Sequence, residues 1–374
     1  MPLFTILSID GGGIRGIIPA MILAEIERRT GYRVAQMFDL IAGTSTGGIL
    51  GLGLTIPQEK DSEKPKYKAS QLVGFYEHEG KEIFHSFWQN ITSLHGLIEE
   101  KYPSERLEKV LKKYIGEDTR MSDALTEVLI TSYEIESCRP FFFTRRKARA
   151  RRPSRFNPRM WEVARCTSAA PTYFSPFQIK RARSSNLPPL TLIDAGVFVN
   201  NPTLCAFAEA VSMQHRPSDV PESDVLPGSS RQSERPVEVR ADCKDKESEL
   251  EYVVLSLGTG ELNVRLRYED ARRWGSLHWA RPLIDIAYDG SSDTVDGHMR
   301  QLVQVVKHPY LYYRFQPSLS EANNALDDTS DWNIQDLKRR AASIFDDPEK
   351  LDKIDKLCRL LQRRMEERSE AKGK

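Results

Sequence analysis

The sequence predicts an α/β fold of three layers, α/β/α, around a mostly parallel central sheet and followed by a helical C-terminal extension. Three observations predict it. Short apolar runs rich in β-branched residues alternate with stretches of helical periodicity, the pattern of a sheet covered on both faces. Two glycine-rich turns each stand between such a run and a helical stretch. A chain of 374 residues is also long enough to bury a large core.

In chain order, residues 4–9 read as a buried strand, and residues 17–28 carry Ile18, Met21, Ile22 and Ile26 at helical spacing. Pro19 sits in the first turn, where its missing N–H costs nothing. Between them lies "IDGGGIRG", in which Gly11, Gly13 and Gly16 spell G-x-G-x-x-G. Backbone N–H groups converging at a helix N-terminus favour an anion. A pyrophosphate there would make the chain a nucleotide-binding module using the Gly11–Gly16 loop. Asp10 argues against that by setting a carboxylate beside the loop. The acidic residue due about 20 positions later is also missing from its place, since Asp39 lies inside the run 38–42 and not at its end.

The next turn is "FDLIAGTSTGGIL", a G-x-S-x-G formed by Gly43-Thr44-Ser45-Thr46-Gly47 between a strand and a helix. So tight a turn needs glycines at Gly43 and Gly47 and pushes the serine Oγ outward, which makes Ser45 a nucleophile candidate. If Ser45 attacks an ester carbonyl, the anion held by the first loop is the developing oxyanion, and the amides of Gly11, Gly12 and Gly13 are its donors. Arg15 either adds positive charge or braces that loop. Residues 40–57 are uncharged and as long as a bilayer span, yet their density of glycine and hydroxyls fits a strand, a turn and a close-packed helix instead.

Residues 128–133, 140–144, 190–193 and 252–257 read as further strands. "LTLIDAGVFVNNP" ends one of them at Asp194, and a desolvated carboxylate touching a serine hydroxyl can serve as its base. The competing base is histidine. Of the seven, His308, just before a strand-like run, is the best placed.

Residues 215–250, rich in Pro, Ser and charge, read as a disordered insertion. Residues 321–374 form the extension. Ile354, Leu357 and Leu361 recur at helical spacing after a break near Pro348, the pattern of a helix packed on the body of the chain. Phe84, Phe87 and Trp88 read as core rather than as an acyl pocket.

Lys and Arg total 54 against 53 for Asp and Glu, so no global field favours a nucleic-acid polymer. The five cysteines are scattered without a C-x-x-C pair, and the start "MPLFTILSID" has no basic leader, so a cytoplasmic protein without structural metal is expected. "TRRKARARRPSR" packs seven basic residues into residues 144–155. It is either a peripheral membrane contact, through Arg145–Arg155, or a solvated loop.

The ordered set Asp10-Gly11-Gly12-Gly13-Ile14-Arg15-Gly16, Gly43-Thr44-Ser45-Thr46-Gly47 and Asp194-Ala195-Gly196 resembles the patatin-like phospholipases. Residues 164–177 and 255–260 are also similar to that family, and the resemblance spans most of residues 1–320, the expected catalytic domain. It implies a patatin-like fold and calcium-independent hydrolysis of lipid acyl esters, of the phospholipase A type. It further implies a dyad of Ser45 as nucleophile and Asp194 as base, with no cofactor and with Gly11, Gly12 and Gly13 as oxyanion hole. Similar short bacterial chains include effectors regulated by a cyclic dinucleotide, a form of activity the resemblance also allows. One departure is Ala195, which replaces the glycine usual after the aspartate and limits that turn to negative φ.

Overall fold

The first apolar run forms β1 (Leu3–Ile9), buried from Phe4 onward, in a computed structural model. It describes residues 3–59, 62–84, 102–150, 156–181, 188–215, 251–262, 266–305, 310–319 and 325–372. The glycine loop tightens into a 3-10 turn and opens α1 (Ile17–Thr30), which stops at Gly31, left-handed at φ 79°. A short α2 (Val34–Met37) leads to β2 (Leu40–Gly43), and the second glycine turn opens α3 (Thr46–Thr55). Next come α4 (Ala69–Phe84), α5 (Ser104–Ile115), the hairpin of β3 (Glu127–Glu134) and β4 (Arg139–Thr144), α6 (Arg145–Arg149) and α7 (Met160–Thr167). They are followed by β5 (Phe177–Ile179), β6 (Leu190–Ile193), α8 (Gly196–Val199), α9 (Thr203–His215) and β7 (Glu251–Leu257). The chain closes with β8 (Glu261–Leu262), α10 (Tyr268–Ala271), α11 (Ser276–Val305), β9 (Tyr310–Phe315), β10 (Ser318–Leu319), α12 (Asp331–Asp346) and α13 (Pro348–Lys372).

Eight strands make one sheet in the order β5-β6-β3-β2-β1-β7-β9, with β4 on the free side of β3, and β8 and β10 form a separate pair. From β3 to β9 the path is parallel. Alternation along the strands feeds two cores. Leu7, Ile9, Ile41, Val253 and Leu255 face α1, α3, α4, α5, α7, α12 and α13. On the other face Phe4, Ile6, Leu40, Ala42 and Val254 meet α9 and α11. This is the three-layer arrangement expected.

Register positions the two glycine turns together. Ile9 stands opposite Gly43 on one side and Leu257 on the other, so loop and elbow leave neighbouring parallel strands at the same level. The Asp194 strand is one of the antiparallel members of the sheet. β6 runs antiparallel to β3, pairing Ile193 with Tyr133, and occupies the edge of β3 just beyond the point where β2 ends at Gly43. Its carboxyl end therefore points back at the elbow.

The C-terminal residues belong to the main core. α12 and α13 pack on α1, and Ile344, Ile354, Leu357 and Leu361 are buried in the larger cluster. The two helices break at Asp347, which precedes Pro348. Arg364 on α13 reaches Asp39 and the backbone oxygens of Leu3 and Met37. From residue 216 on, the expected insertion lies outside the described residues.

The basic stretch lies away from the glycine turns. α6 begins where β4 ends, beside Glu127 at the far end of the strands from the glycine turns. Arg145 is paired with Glu127 and Arg146 with Glu209, both at 2.8 Å. Residues 151–155 lie outside the described residues. No described helix is long and apolar enough to cross a membrane.

Candidate active site

The elbow is built by exclusion. Ser45 has φ 55° and ψ −123°, a conformation that costs a non-glycine residue about 1–3 kcal/mol. A Cβ on Gly43 would sit 2.3 Å from the Gly47 carbonyl oxygen, and one on Gly47 would sit 2.2 Å from that of Ile9, so neither position admits a side chain. Hydroxyls hold the turn from below. The Ser45 N–H donates to Thr167 Oγ1 at 2.9 Å, while Thr44 Oγ1 meets Thr131 Oγ1 at 2.8 Å and the Val199 carbonyl at 2.9 Å.

Asp194 is completely buried, and its backbone N–H donates to the Ala169 carbonyl at 3.0 Å. Its Oδ1 accepts from the Gly196 N–H at 2.8 Å, while Oδ2 has no aligned partner. Burial pushes this carboxyl up to about 7, against the opposing pull of the neighbouring Ser45 hydroxyl and the Gly196 N–H. Ala195 fits without strain at φ −82°. The next position carries the steric demand, because a Cβ on Gly196 would meet the Tyr288 ring at 2.4 Å.

The glycine loop lies across the elbow. The Gly11 N–H, expected from the sequence to be an oxyanion donor, donates in this structure to the Asn200 carbonyl at 3.1 Å. A Cβ on Gly11 would meet Asn200 Oδ1 at 2.4 Å and crowd Ser45 Cβ at 3.2 Å. Among the described residues the N–H groups of Gly12 and Gly13 have no partner. Gly13 adopts φ 57° and leaves no room beside the Leu326 carbonyl, which accepts from the Ile14 N–H at 2.8 Å. Thr259 donates to the Gly11 carbonyl at 2.6 Å and packs on Gly12. Arg15 is buried: its Nε donates to the Gly12 carbonyl at 3.4 Å, the carboxylates of Asp289 and Asp285 on α11 act on its charge, and its Nη1 has no hydrogen-bond partner among the described residues.

Asp10 does not project its charge into the loop. Arg314 grips it through two hydrogen bonds of 3.0 and 2.6 Å, and the Ser292 hydroxyl adds a third at 2.8 Å. Both members of the ion pair are buried. Replacing Arg314 with Met leaves that carboxylate buried and unpaired, and urea unfolding at pH 7 is expected to show a loss of about 3–5 kcal/mol. Adding Asp10→Asn should return part of it, and a single Arg314→Met change with wild-type stability would contradict the pairing. Asp39 is equally occupied, by Thr5, Arg364 and Arg368, so no free carboxylate waits for a ribose.

Ser45 opens on an apolar pocket of about 70 Å³. Ile14, Ile49, Phe75, Tyr76, Ile83, Phe84, Leu107, Phe174 and Leu326 supply most of its lining, and Tyr173 and Tyr288 flank it. Phe84 is thus both core and pocket wall, packing on Tyr102 and Phe174, while Phe87 and Trp88 lie outside the described residues. His308 also lies outside them. None of the described histidines lines the pocket.

Sequence reading missed Thr167, Thr259, Tyr288 and Arg314. The first two stand in the "ARCTSAAPTYFSPF" and "LSLGTG" stretches already singled out, so a signal existed for them. Tyr288 and Arg314 carried none, because their roles arise from helix placement and strand register.

The family model described as Patatin-like phospholipase matches residues 7–207, a span containing the loop, the elbow and Asp194. Patatin-like protein 4 of Arabidopsis thaliana is 33% identical, over 92% of this chain and 84% of its own length. Patatin-like protein 2 of Oryza sativa subsp. indica is 32% identical, over 91% and 84%. Patatin-T5 of Solanum tuberosum is 31% identical, over 92% and 86%.

Proposed function

This chain belongs to the patatin-like phospholipase family, and on that premise we propose that it hydrolyses ester-linked acyl chains of phospholipids through a dyad of Ser45 and Asp194. The observation that carries the reading is one convergence. A strained serine stands between a buried carboxyl with an unpartnered oxygen and two unpartnered backbone N–H groups, at the wall of an apolar pocket.

In the proposed reaction the acyl chain lies in the pocket and its ester carbonyl reaches Ser45. Asp194 Oδ2 accepts the hydroxyl proton as Oγ forms its bond to the carbonyl carbon. The carbonyl oxygen becomes an anion, stabilised by the Gly12 and Gly13 amides, a donor of this kind being worth about 2.7–4 kcal/mol of barrier. Asp194 then gives its proton to the departing alcohol, leaving an acyl-serine. Water attacks that ester with Asp194 again as base, Asp194 returns the proton to Ser45 Oγ as the Oγ–acyl bond breaks, and the fatty acid leaves with the serine hydroxyl restored. Since backbone amides stabilise the anion and a carboxylate moves the proton, the reaction is proposed to need no calcium. The buried ion pair of Asp10 and Arg314 acts as a positioning element for the loop.

The test is release of fatty acid from phospholipid vesicles, with a chelator in a parallel reaction. Equal rates with and without chelator are expected, and a rate restored only by added calcium would contradict the proposal. The loop offers a second prediction. A Cβ at Gly12 would sit 2.2 Å from Thr259 Oγ1, so Gly12→Ala must displace the donors. Steady-state kinetics should show kcat falling about 10²–10³-fold with KM nearly unchanged, because the donors act on a charge present only in the transition state. Equal effects on kcat and KM would assign the loop to ground-state binding instead.

A further inference from the structure

Four of the six large apolar side chains exposed among the described residues fall in one stretch: Leu266, Tyr268, Leu283 and Ile286. The last two lie on α11, where Trp279, Leu283 and Ile286 stand at i, i+4 and i+7 and so share one helix face. Trp279 meets Trp274 edge-on, with ring centroids 5.2 Å apart.

Contacts along α11 fix its direction. Met299 is buried with Phe4, Ser292 bonds Asp10 at the other end of β1, and Tyr288 lines the pocket beside Ser45. The helix thus passes the glycine turns, and its residues before Asp285, Pro282 among them, continue beyond that level. Apolar residues on a projecting helix at the site's own end of the sheet, with tryptophan and tyrosine beside them, have the composition of a membrane-interface element. Arg267 and Arg273 are exposed there and make no ion pair among the described residues, while Arg272 is paired with Glu269 at 3.5 Å. With the exposed Glu269 and Asp270 beside them, the arginines leave this stretch a small positive excess toward anionic headgroups.

We propose that this α10–α11 prow, rather than the basic stretch at residues 145–155, docks the protein on an anionic phospholipid surface and brings the pocket to its substrate. The proposal rests on the lipid-hydrolase reading above. Docking buries Leu283, Ile286 and the Trp274–Trp279 pair in the headgroup–acyl boundary, and the arginines meet lipid phosphates.

The test uses the full chain carrying Ser45→Ala, so that lipid is not consumed, pelleted with vesicles of phosphatidylcholine alone or mixed with phosphatidylglycerol. Leu283→Asp with Ile286→Asp is expected to weaken pelleting at least about tenfold on both vesicles, given the apolar area each residue would bury. Arg267→Glu with Arg273→Glu should weaken it only where phosphatidylglycerol is present. On a Ser45 background the Leu283/Ile286 variant should lose vesicle hydrolysis in parallel, while turnover of a soluble short-chain ester stays at the wild-type rate. Unchanged pelleting by the Leu283/Ile286 variant, or no pelleting before any change to this face, would overturn the proposal. So would a dimer dissolved by the aspartates with vesicle affinity intact, which would assign the face to a second copy of the chain. Absence of soluble-ester turnover in the wild type counts against the lipid-hydrolase reading alone, because pelleting judges docking without catalysis.

Discussion

Ser45→Ala is expected to lower kcat for ester hydrolysis by about 10⁴–10⁶-fold, the loss seen when a catalytic unit is deprived of its nucleophile. The cost to stability should stay within about 1 kcal/mol, because the hydroxyl makes no packing contact that alanine cannot make. The backbone strain at φ 55° is common to both residues and cancels. Fatty-acid release and urea unfolding on the same preparations check both halves. A variant that folds and still turns over substrate would exclude Ser45 as the nucleophile.

Asp194→Asn should be nearly as damaging, by about 10⁴-fold, since the amide retains the shape and cannot take the proton. In the wild type, kcat/KM should climb with pH on an acid limb centred near 7 and level off above it, because burial holds the carboxyl protonated up to that range. The same burial carries a stability consequence of opposite sign. Between its ordinary value of 3.8 and about 7 the folded protein keeps a proton that the unfolded chain has released. Stability of the wild type therefore falls as pH rises through that window. The asparagine variant has no proton to lose, so above pH 7 it should be the more stable protein, by an amount on the order of a few kcal/mol. Paired denaturation curves at pH 4 and pH 8 measure the difference. Equal stability of the two proteins at both pH values would show that Asp194 ionises without penalty.

Both glycine turns were legible because each is a local event. A strand, a cluster of glycines and a helical period lie within one short window, although only Gly43 is blocked by near neighbours in sequence, Gly47 being blocked by the Ile9 carbonyl and Gly13 by that of Leu326. Ser45 and Asp194 were legible for the same reason, each at the end of an apolar run. Direction was harder to read. Leu190–Ile193 has no feature that tells a parallel strand from an antiparallel one, and only pairing with Tyr133 and Glu134 turns Asp194 toward Ser45. Hydrogen-bond ownership was beyond reach too. That the Gly11 N–H belongs to Asn200, or the Asp10 carboxylate to Arg314, depends on contacts spanning 189 and 304 positions. The partners of Arg145 and Arg146, Glu127 and Glu209, likewise lie outside the basic run. Leu326 reaches Gly13 from beyond residue 320, where the extension was expected to start, so we propose that the C-terminal residues complete the catalytic unit.

A fluorophosphonate tests the dyad most directly, since it reacts with a serine only where a base activates the hydroxyl and donors hold the tetrahedral oxygen. Mass-spectrometric mapping of the labelled protein should find the adduct on the peptide containing Ser45, and Asp194→Asn should suppress labelling without unfolding the chain. An active enzyme that carries the adduct on another residue, or that labels at the wild-type rate without the Asp194 carboxylate, would contradict the account.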